Sequence, residues 1–157
     1  EKHQAINRKG EKTQTLAKPK ETKFANKELD KQKTIAKQYG SMIEYYNKCK
    51  IKCKVKDAGN IFITAEGLLM PCCWTAGRMY KWWHLDPKVE QIWDHIDAAG
   101  GKGGINVIIN DLKKVMEGPL LESIENSWSA SSVKEGKLGV CSEKCGANFD
   151  PFAAQFS

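Results

Sequence analysis

Apolar residues recur at three- and four-residue steps in four stretches of the chain, the spacing that places side chains on one face of an α-helix. The first stretch begins near Lys27, and we expect it to be divided into two helices. The expected helix starts and stops are Gly40, Ser41, Asp86-Pro87, Gly100-Gly101 and Gly118-Pro119. The predicted apolar faces are Ile35, Tyr39, Met42, Ile43 and Tyr46; Val89, Ile92, Trp93 and Ile96; Ile105, Ile108, Ile109, Leu112, Val115 and Met116; and Leu120 through Ile124 to Trp128.

Shorter apolar runs predict β-strands. Residues 50–55 alternate between apolar and lysine positions and predict an edge strand. Asn60–Thr64 and Leu68–Cys72 predict a hairpin, because Gly67 supplies the positive φ that a tight loop needs. Residues 1–26 have almost no apolar spacing and predict an irregular arm or a short hairpin. The expected fold is therefore α+β, a small β-hairpin packed by several helices behind an N-terminal arm.

Charge is unevenly distributed along the chain. Residues 1–58 carry 16 Lys+Arg and 7 Asp+Glu, a balance of +9, whereas residues 59–157 carry 9 and 12, a balance of −3. A basic arm can bind nucleic acid, but lysines on a solvated helix face explain the same charge. Arginine, the better phosphate ligand, occurs only at Arg8 and Arg78. The solvated face is therefore the preferred interpretation of the basic arm.

Six cysteines occur in three close pairs, which are Cys49/Cys53, Cys72/Cys73 and Cys141/Cys145. Thiolates from such pairs can surround one metal centre. Three disulfides in a secreted domain are the alternative. Disulfide-dense domains are usually smaller, however, and adjacent cysteines such as Cys72 and Cys73 make a poor disulfide in extended chain. A metal site in a reducing compartment fits the pattern better.

The location of the protein follows from the same features. No apolar run approaches the ~20 residues that are needed to cross a bilayer. No signal peptide is visible, although the chain begins at Glu1 and is expected to be the later part of a longer protein. The sequence therefore predicts a cytoplasmic protein with no membrane partner.

Chain geometry predicts which cysteines meet. Folding the hairpin about Gly67 returns Cys72 to the open end, where Cys53 lies alongside. Cys141 and Cys145 are four residues apart, so a helical turn points both sulfurs the same way. The α+β fold is thus expected to be built around a cysteine metal site. The predicted ligands are Cys53, Cys72, Cys141 and Cys145.

The two remaining cysteines are the alternate ligands. Successive strand side chains face opposite sides, so Cys73 is expected to be packed or to lie behind the ligands when Cys72 binds. Cys49 is interpreted as a small buried residue at a helix end. Gly146 is expected to let the chain leave the closing turn in a left-handed conformation.

The identity of the metal follows less directly. Four thiolates can bind zinc or an iron–sulfur cluster. Zinc ribbons and fingers favour short CxxC knuckles, which this chain lacks. A [4Fe–4S] cube is larger and suits more widely dispersed sulfurs. The spacing therefore favours one [4Fe–4S] cluster, with zinc as the alternative.

The stretch CKVKDAGNIFITAEGLLMPCC, from Cys53 to Cys73, resembles the opening of the SPASM/twitch auxiliary-cluster domains of radical SAM proteins, of the type found in phage and marine bacterial sequences. Those domains begin with a cysteine and a hairpin, continue with a helix rich in Leu/Ile-Trp, and end with a cysteine cluster. VEQIWDHI stands where the helix belongs, and VCSEKCGANFDPF resembles a reduced closing cluster. The resemblance covers roughly residues 50–150.

The resemblance implies one auxiliary [4Fe–4S] cluster on Cys53, Cys72, Cys141 and Cys145, as in the one-cluster twitch form. It implies that residues 1–48 are a basic arm and helical linker at the end of a catalytic core, and that residues 49–157 are the cluster domain. The core, a partial TIM barrel that binds S-adenosylmethionine, would precede Glu1, because neither CxxxC pair here extends to CxxxCxxC. This chain alone is not expected to cleave S-adenosylmethionine. Its implied partners are that barrel and a peptide or protein substrate.

A zinc-stabilised nucleic-acid-binding module is the alternative function. In it, Tyr39, Tyr45 and Tyr46 would stack on bases beside the basic arm. Two other side chains have simpler interpretations. His95 is expected to be a surface histidine, and Trp74 is expected to shield the cluster from water.

Overall fold

The computed structural model describes residues 3–17, 20–21, 27–80 and 88–147. Within these ranges the chain forms nine α-helices, one 3-10 helix and two antiparallel sheets of two strands each, so the fold is α+β as predicted. The strands are β1 (His3–Ile6), β2 (Lys12–Leu16), β3 (Phe62–Ile63) and β4 (Leu69–Met70). The α-helices are α1 (Lys27–Tyr39), α2 (Met42–Lys48), α3 (Lys54–Asp57), α4 (Cys73–Gly77), α5 (Lys88–Ala98), α6 (Gly101–Gly104), α7 (Leu112–Met116), α8 (Pro119–Ser127) and α9 (Gly139–Cys145).

The N-terminal third matches the local sequence signals. β1 and β2 pair as an antiparallel hairpin, one of the two forms expected of residues 1–26. Gly40, with a φ of 89°, separates α1 from α2. The Ser41 hydroxyl then accepts a hydrogen bond from the backbone N–H of Glu44 at 3.1 Å, which satisfies one of the free donors at the start of α2. Both predictions for this boundary are confirmed.

The second hairpin turns at Gly67, which has a φ of 79°, as predicted. Its paired strands are only two residues long, much shorter than the two predicted runs. Along its other edge, the segment that leads into β4 bonds the loop after α6. The backbone N–H of Leu69 donates to the Ile105 carbonyl, and that of Val107 donates to the Gly67 carbonyl, both at 2.9 Å.

The prediction of an edge strand over residues 50–55 is wrong. Only Ile51 forms a β-bridge, with Gly146, and the chain then turns into helix α3. Ile51 is buried at the bridge and Val55 is buried in the helix, so both apolar positions face the interior without a strand. Their exposed fractions are 9% and 7%. Short apolar alternation does not distinguish the two structures.

The predicted third helix, which was to carry Ile105 through Met116, is also interrupted. Only α7 forms in this stretch, and the Ile108 and Ile109 side chains are 73% and 71% exposed. The side chain of Asn106 accepts a hydrogen bond from the Ile108 backbone N–H at 2.8 Å. The Asn110 side chain donates to the Gly103 carbonyl at 2.7 Å. Such bonds offer the backbone an alternative to the helix ladder.

Helix α9 lies between two groups of packed side chains. The larger core consists of buried side chains from β4, α5 and α8, together with Val140 of α9. The smaller group consists of Tyr45 and Cys49 with their neighbours on α1 and α2. The Cys49 thiol contacts the Ser142 carbonyl of α9 at 3.9 Å. The helix that carries the closing cysteine pair is therefore held from both sides.

Two sequence predictions lie outside the described residues. They are the start of α5 at Asp86-Pro87 and the part of the closing motif that follows Ala147. The end of α5 is described, and Gly100 with a φ of 90° follows it as expected. In the ranges that the structure describes, no helix is both long and apolar enough to cross a membrane.

Candidate metal centre

Four cysteines from three separate segments line one small cavity. Cys53 precedes α3, Cys72 precedes α4, and Cys141 and Cys145 lie on α9. The cavity measures about 20 Å³, enough for about one water molecule. The other residues that line it are Pro71, Trp74, Thr75, Ile124, Trp128, Val140 and Lys144. These are the four cysteines that the sequence singled out, and the structure brings them together.

Backbone pairing places Cys53 beside Cys145. The backbone N–H of Lys52 donates to the Cys145 carbonyl at 2.9 Å, and that of Ala147 donates to the Lys50 carbonyl at 2.8 Å. The bridge between Ile51 and Gly146 lies within the same pairing. Gly146 has a φ of −65°, so the left-handed exit predicted there is wrong. Its lack of a side chain serves packing, because a Cβ would collide with the Tyr45 hydroxyl and the Ser142 carbonyl.

An ion pair joins the other two cysteine segments. The Arg78 guanidinium, at the end of α4, lies 2.9 Å from the Glu143 carboxylate of α9. The two side chains are only 11% and 16% exposed. Shielding from water strengthens the attraction. This pair fastens the C-terminal end of α4, whose N-cap residue is Cys72, to the turn of α9 that carries Cys141 and Cys145.

Cys72 is the N-cap residue of α4. Its backbone N–H donates to the Thr75 hydroxyl at 3.2 Å, and that hydroxyl lies 3.5 Å from the Cys72 sulfur. Burial raises the pKa of the Cys72 thiol, while hydrogen bonds from Thr75 and from the backbone N–H of Trp74 oppose the rise. Donors aimed at a sulfur in this way stabilise it as a thiolate ligand and tune a bound metal.

The Cys53 and Cys145 thiols interact, and each shifts the pKa of the other. A hydrogen bond from the Cys145 thiol, assisted by the backbone N–H groups of Val55 and Lys56, lowers the pKa of Cys53 to about 6. The same contact with Cys53, together with burial, strongly raises the pKa of Cys145. Cys53 is therefore the more acidic thiol of the pair.

Cys141 is half-buried and lines the cavity from α9. Burial raises its pKa to about 12, and the indole N–H of Trp128 acts in the opposite direction. That N–H is buried and has no partner of normal hydrogen-bond geometry among the described residues. A buried donor beside a neutral thiol is poorly satisfied, whereas a thiolate bound to a metal would accept from it. The orphaned indole donor therefore fits a charged sulfur at this position.

The alternate cysteines lie elsewhere. Cys73 is exposed and lines a different cavity, together with Phe62 and Tyr80. Cys49 is 3% exposed at the C-terminal end of α2, where its thiol contacts the Tyr46 carbonyl at 3.6 Å. It is thus a small buried residue at a helix end, as the packing interpretation predicts.

Two further expectations change. His95 is half-buried rather than a surface residue, and its Nδ1 lies 2.6 Å from the Ser123 hydroxyl, so it fastens α5 to α8. Burial lowers its pKa.

Tyr45 is fully buried, in edge-on contact with Tyr39 at 5.2 Å between ring centres. Its ring is packed in the protein and has no face open to a nucleic-acid base.

The sequence reasoning missed several residues of the site. Trp128 was assigned only to the apolar face of its helix, and Arg78, Glu143 and Lys144 were not linked to the cysteines. Thr75 could have been found, because a polar residue three positions after an N-cap is the spacing of a capping box. Glu143 and Lys144 lie between Cys141 and Cys145, so the closing pair could also have indicated them. Trp128 comes from a different segment, and nothing local links it to the cysteines.

The donor chemistry fits a metal, but not a single ion in the present arrangement. All six cysteines are free thiols. Within the described ranges, no three His, Cys, Asp or Glu side chains are placed to hold one metal ion. Four thiolates on one zinc would lie roughly 4 Å from one another, given Zn–S bonds of about 2.3 Å.

Comparisons of the chain with protein-family models, with curated proteins and with solved structures find no match. The cysteine site is therefore the feature of the chain from which a function can be inferred.

Proposed function

We propose that Cys53, Cys72, Cys141 and Cys145 bind one [4Fe–4S] cluster, and that residues 49–157 are the auxiliary-cluster domain of a radical SAM enzyme. The single observation that supports this proposal most strongly is the meeting of these four cysteines at one cavity, from segments up to 92 residues apart in sequence. The resemblance of the Cys53–Cys73 stretch to SPASM/twitch domains supplies the class of protein.

The surroundings of the thiols suit such a cluster. A cluster bound by four thiolates carries net negative charge, and Lys144 lies at the cavity with Arg78 behind it. Partial burial lowers the pKa of Lys144, and an anionic partner would offset the cost of burying its charge. Trp74 and Trp128 limit the access of water, which influences the potential of an iron–sulfur centre.

A cluster is larger than the cavity between the present thiols, so binding must move some of them. Cys53 and Cys145, which are in contact, would turn apart. Both lie at helix ends, where a side-chain rotation leaves the backbone pairing intact. Cysteines of a cluster bind different irons, so they need not converge on one point as four zinc ligands must.

The bound cluster would supply one-electron chemistry or an anchor for substrate. The chain's own residues would hold it, shield it and fix its position relative to the partner domain. We place the protein in a reducing, cytoplasmic compartment, because six unpaired thiols persist best there. The proposed partners are an N-terminal radical SAM barrel, which would bind S-adenosylmethionine, and a peptide or protein substrate.

Single Cys→Ala variants test the ligand set. We expect Cys53→Ala, Cys72→Ala, Cys141→Ala and Cys145→Ala each to lose most of the iron that the wild-type protein takes up under anaerobic reconstitution. Cys73→Ala is the matched control, because it removes the neighbour of Cys72 outside the cavity. Equal iron content in Cys72→Ala and wild type, or a loss only in Cys73→Ala, would refute the assignment.

A further inference from the structure

A second cavity adjoins the cysteine cavity and is much larger, about 200 Å³. The two share four lining residues, which are Cys53, Pro71, Ile124 and Trp128. The remaining residues of the larger cavity are Lys56, Gly59, Asn60, Ile61, Met116, Leu121 and Glu125. A molecule in this cavity would therefore touch the wall that separates it from the four thiols.

The lining of the larger cavity is apolar in the interior and polar at the mouth. Most of the lining is apolar, and Ile124 is only 1% exposed. The polar groups include Lys56 and Glu125, whose charged ends lie 2.5 Å apart and are 57% and 37% exposed. These charges already neutralise each other, so the cavity has no unmatched charge to attract an ion. An uncharged, compact apolar group suits it best.

We propose that this cavity binds one uncharged six-membered aromatic ring. An engineered apolar cavity of about 150 Å³ in another protein stays dry and accepts benzene, so the present volume is sufficient for a ring with a small substituent. The faces of Trp128 and the thioether of Met116 offer contacts that favour aromatic groups. Asn60 lies at the same cavity and can bond a phenol or an amide.

The ring could belong to a free small molecule or to a peptide side chain, and these sources are distinguishable. The probes are benzene and p-cresol for the free ring, N-acetylphenylalaninamide for the peptide side chain, and benzoate as the charged comparator. We expect a Kd on the order of 0.1–1 mM for the neutral probes, measured by NMR titration. Binding of the free rings alone indicates a small-molecule ligand, and binding of the amide as well supports a peptide. Benzoate should bind at least tenfold more weakly.

Filling the cavity provides the structural test. Leu121→Trp and Met116→Trp place a ring in the proposed volume, and each should weaken binding of p-cresol at least tenfold. Leu112→Trp is the matched control, because Leu112 is 42% exposed and does not line the cavity. Met116 is 41% exposed, so its variant is expected to fold even if Leu121→Trp does not. Failure of every neutral probe to bind, or binding that survives both variants, would overturn the inference.

Ring binding does not depend on the proposed cluster, so it can be tested on the metal-free protein. In the metal-free protein, p-cresol should shift the NMR signals of Cys53 and Ile124 while those of Cys73 stay in place. A protein that binds the ring but takes up no iron would refute the cluster and leave this site standing. A protein that takes up iron but binds no ring would refute the ring site and leave the cluster assignment intact.

Discussion

At the scale of single residues, the four thiols differ in how readily they ionise, although they line one cavity. Cys53 receives hydrogen bonds at the start of a helical turn, and its pKa falls to about 6. Cys141 is enclosed by apolar side chains, and burial raises its pKa to about 12. The thiolate is the form that binds metals and attacks electrophiles. Cys53 is therefore expected to be more reactive than Cys141 near neutral pH.

This difference predicts selective alkylation of the metal-free protein. At pH 7, iodoacetamide should modify Cys53 at least tenfold faster than Cys141, and the Cys53 rate should rise with a midpoint near pH 6. Peptide mass spectrometry measures both rates. Removing the main hydrogen-bond donor with Cys145→Ala should move the midpoint upward, because the pKa of Cys53 then returns toward its ordinary value. A midpoint unchanged in that variant would contradict the proposed pairing of the two sulfurs.

At the scale of elements, the site depends on a few contacts that fasten short helices together. The clearest is the pair between Arg78 of the α4 segment and Glu143 of α9, which is 11% and 16% exposed. Removing one partner of a shielded pair leaves a charge without compensation, and this usually costs more than the pair itself contributes.

We therefore expect Arg78→Met to lower the free energy of unfolding by about 2–3 kcal/mol. The double variant Arg78→Met/Glu143→Leu should recover part of this loss, because no unpaired charge remains. The matched surface control is Lys113→Met, which breaks an exposed pair with Glu117 and should cost less than about 0.5 kcal/mol. Urea unfolding measures all three. A loss for Arg78→Met no larger than that for Lys113→Met would show that the pair does not fasten α4 to α9.

The hairpin before Cys72 also depends on the glycine at its turn. Gly67 needs a positive φ, and a Cβ there would also collide with the Ile108 side chain. Gly59 has a positive φ of 66° but has nothing within 4 Å of such a Cβ.

We expect Gly59→Ala to cost about 1–2 kcal/mol from backbone strain alone, and Gly67→Ala to cost about 2–4 kcal/mol because the collision adds to the strain. Ile108→Ala should relieve part of the Gly67→Ala cost but none of the Gly59→Ala cost. Thermal and urea unfolding of the wild type, the three single variants and the two double variants measure these differences. Equal costs at the two glycines would mean that the loop after α6 does not press on the hairpin turn.

The elements that could be predicted from sequence are those decided locally. The break at Gly40, the cap at Ser41 and the turn at Gly67 each depend on the residue's own conformational range. The stretch from Lys50 to Val55 does not, because its bridge to Gly146 depends on a segment almost a hundred residues later. The interrupted helix before α7 depends on hydrogen bonds of Asn106 and Asn110, which apolar periodicity does not register.

At the scale of the whole molecule, the cysteine set could be predicted because chain topology brings those segments together. The turn at Gly67 directs Cys72 back toward Cys53, and the four-residue spacing of Cys141 and Cys145 keeps both on one helix face. The spacing of the cysteines does not predict which other side chains surround them. The indole donor of Trp128 comes from α8, and its position depends on how that helix packs against α5 and β4.

The central claim is that these sulfurs hold an iron–sulfur cluster, and metal content after anaerobic reconstitution tests it most directly. Wild-type protein would be incubated with iron, sulfide and zinc together, desalted, and assayed for each per chain. We expect about four irons per chain with a matching amount of acid-labile sulfide, and a brown protein. One zinc per chain with no iron would contradict it.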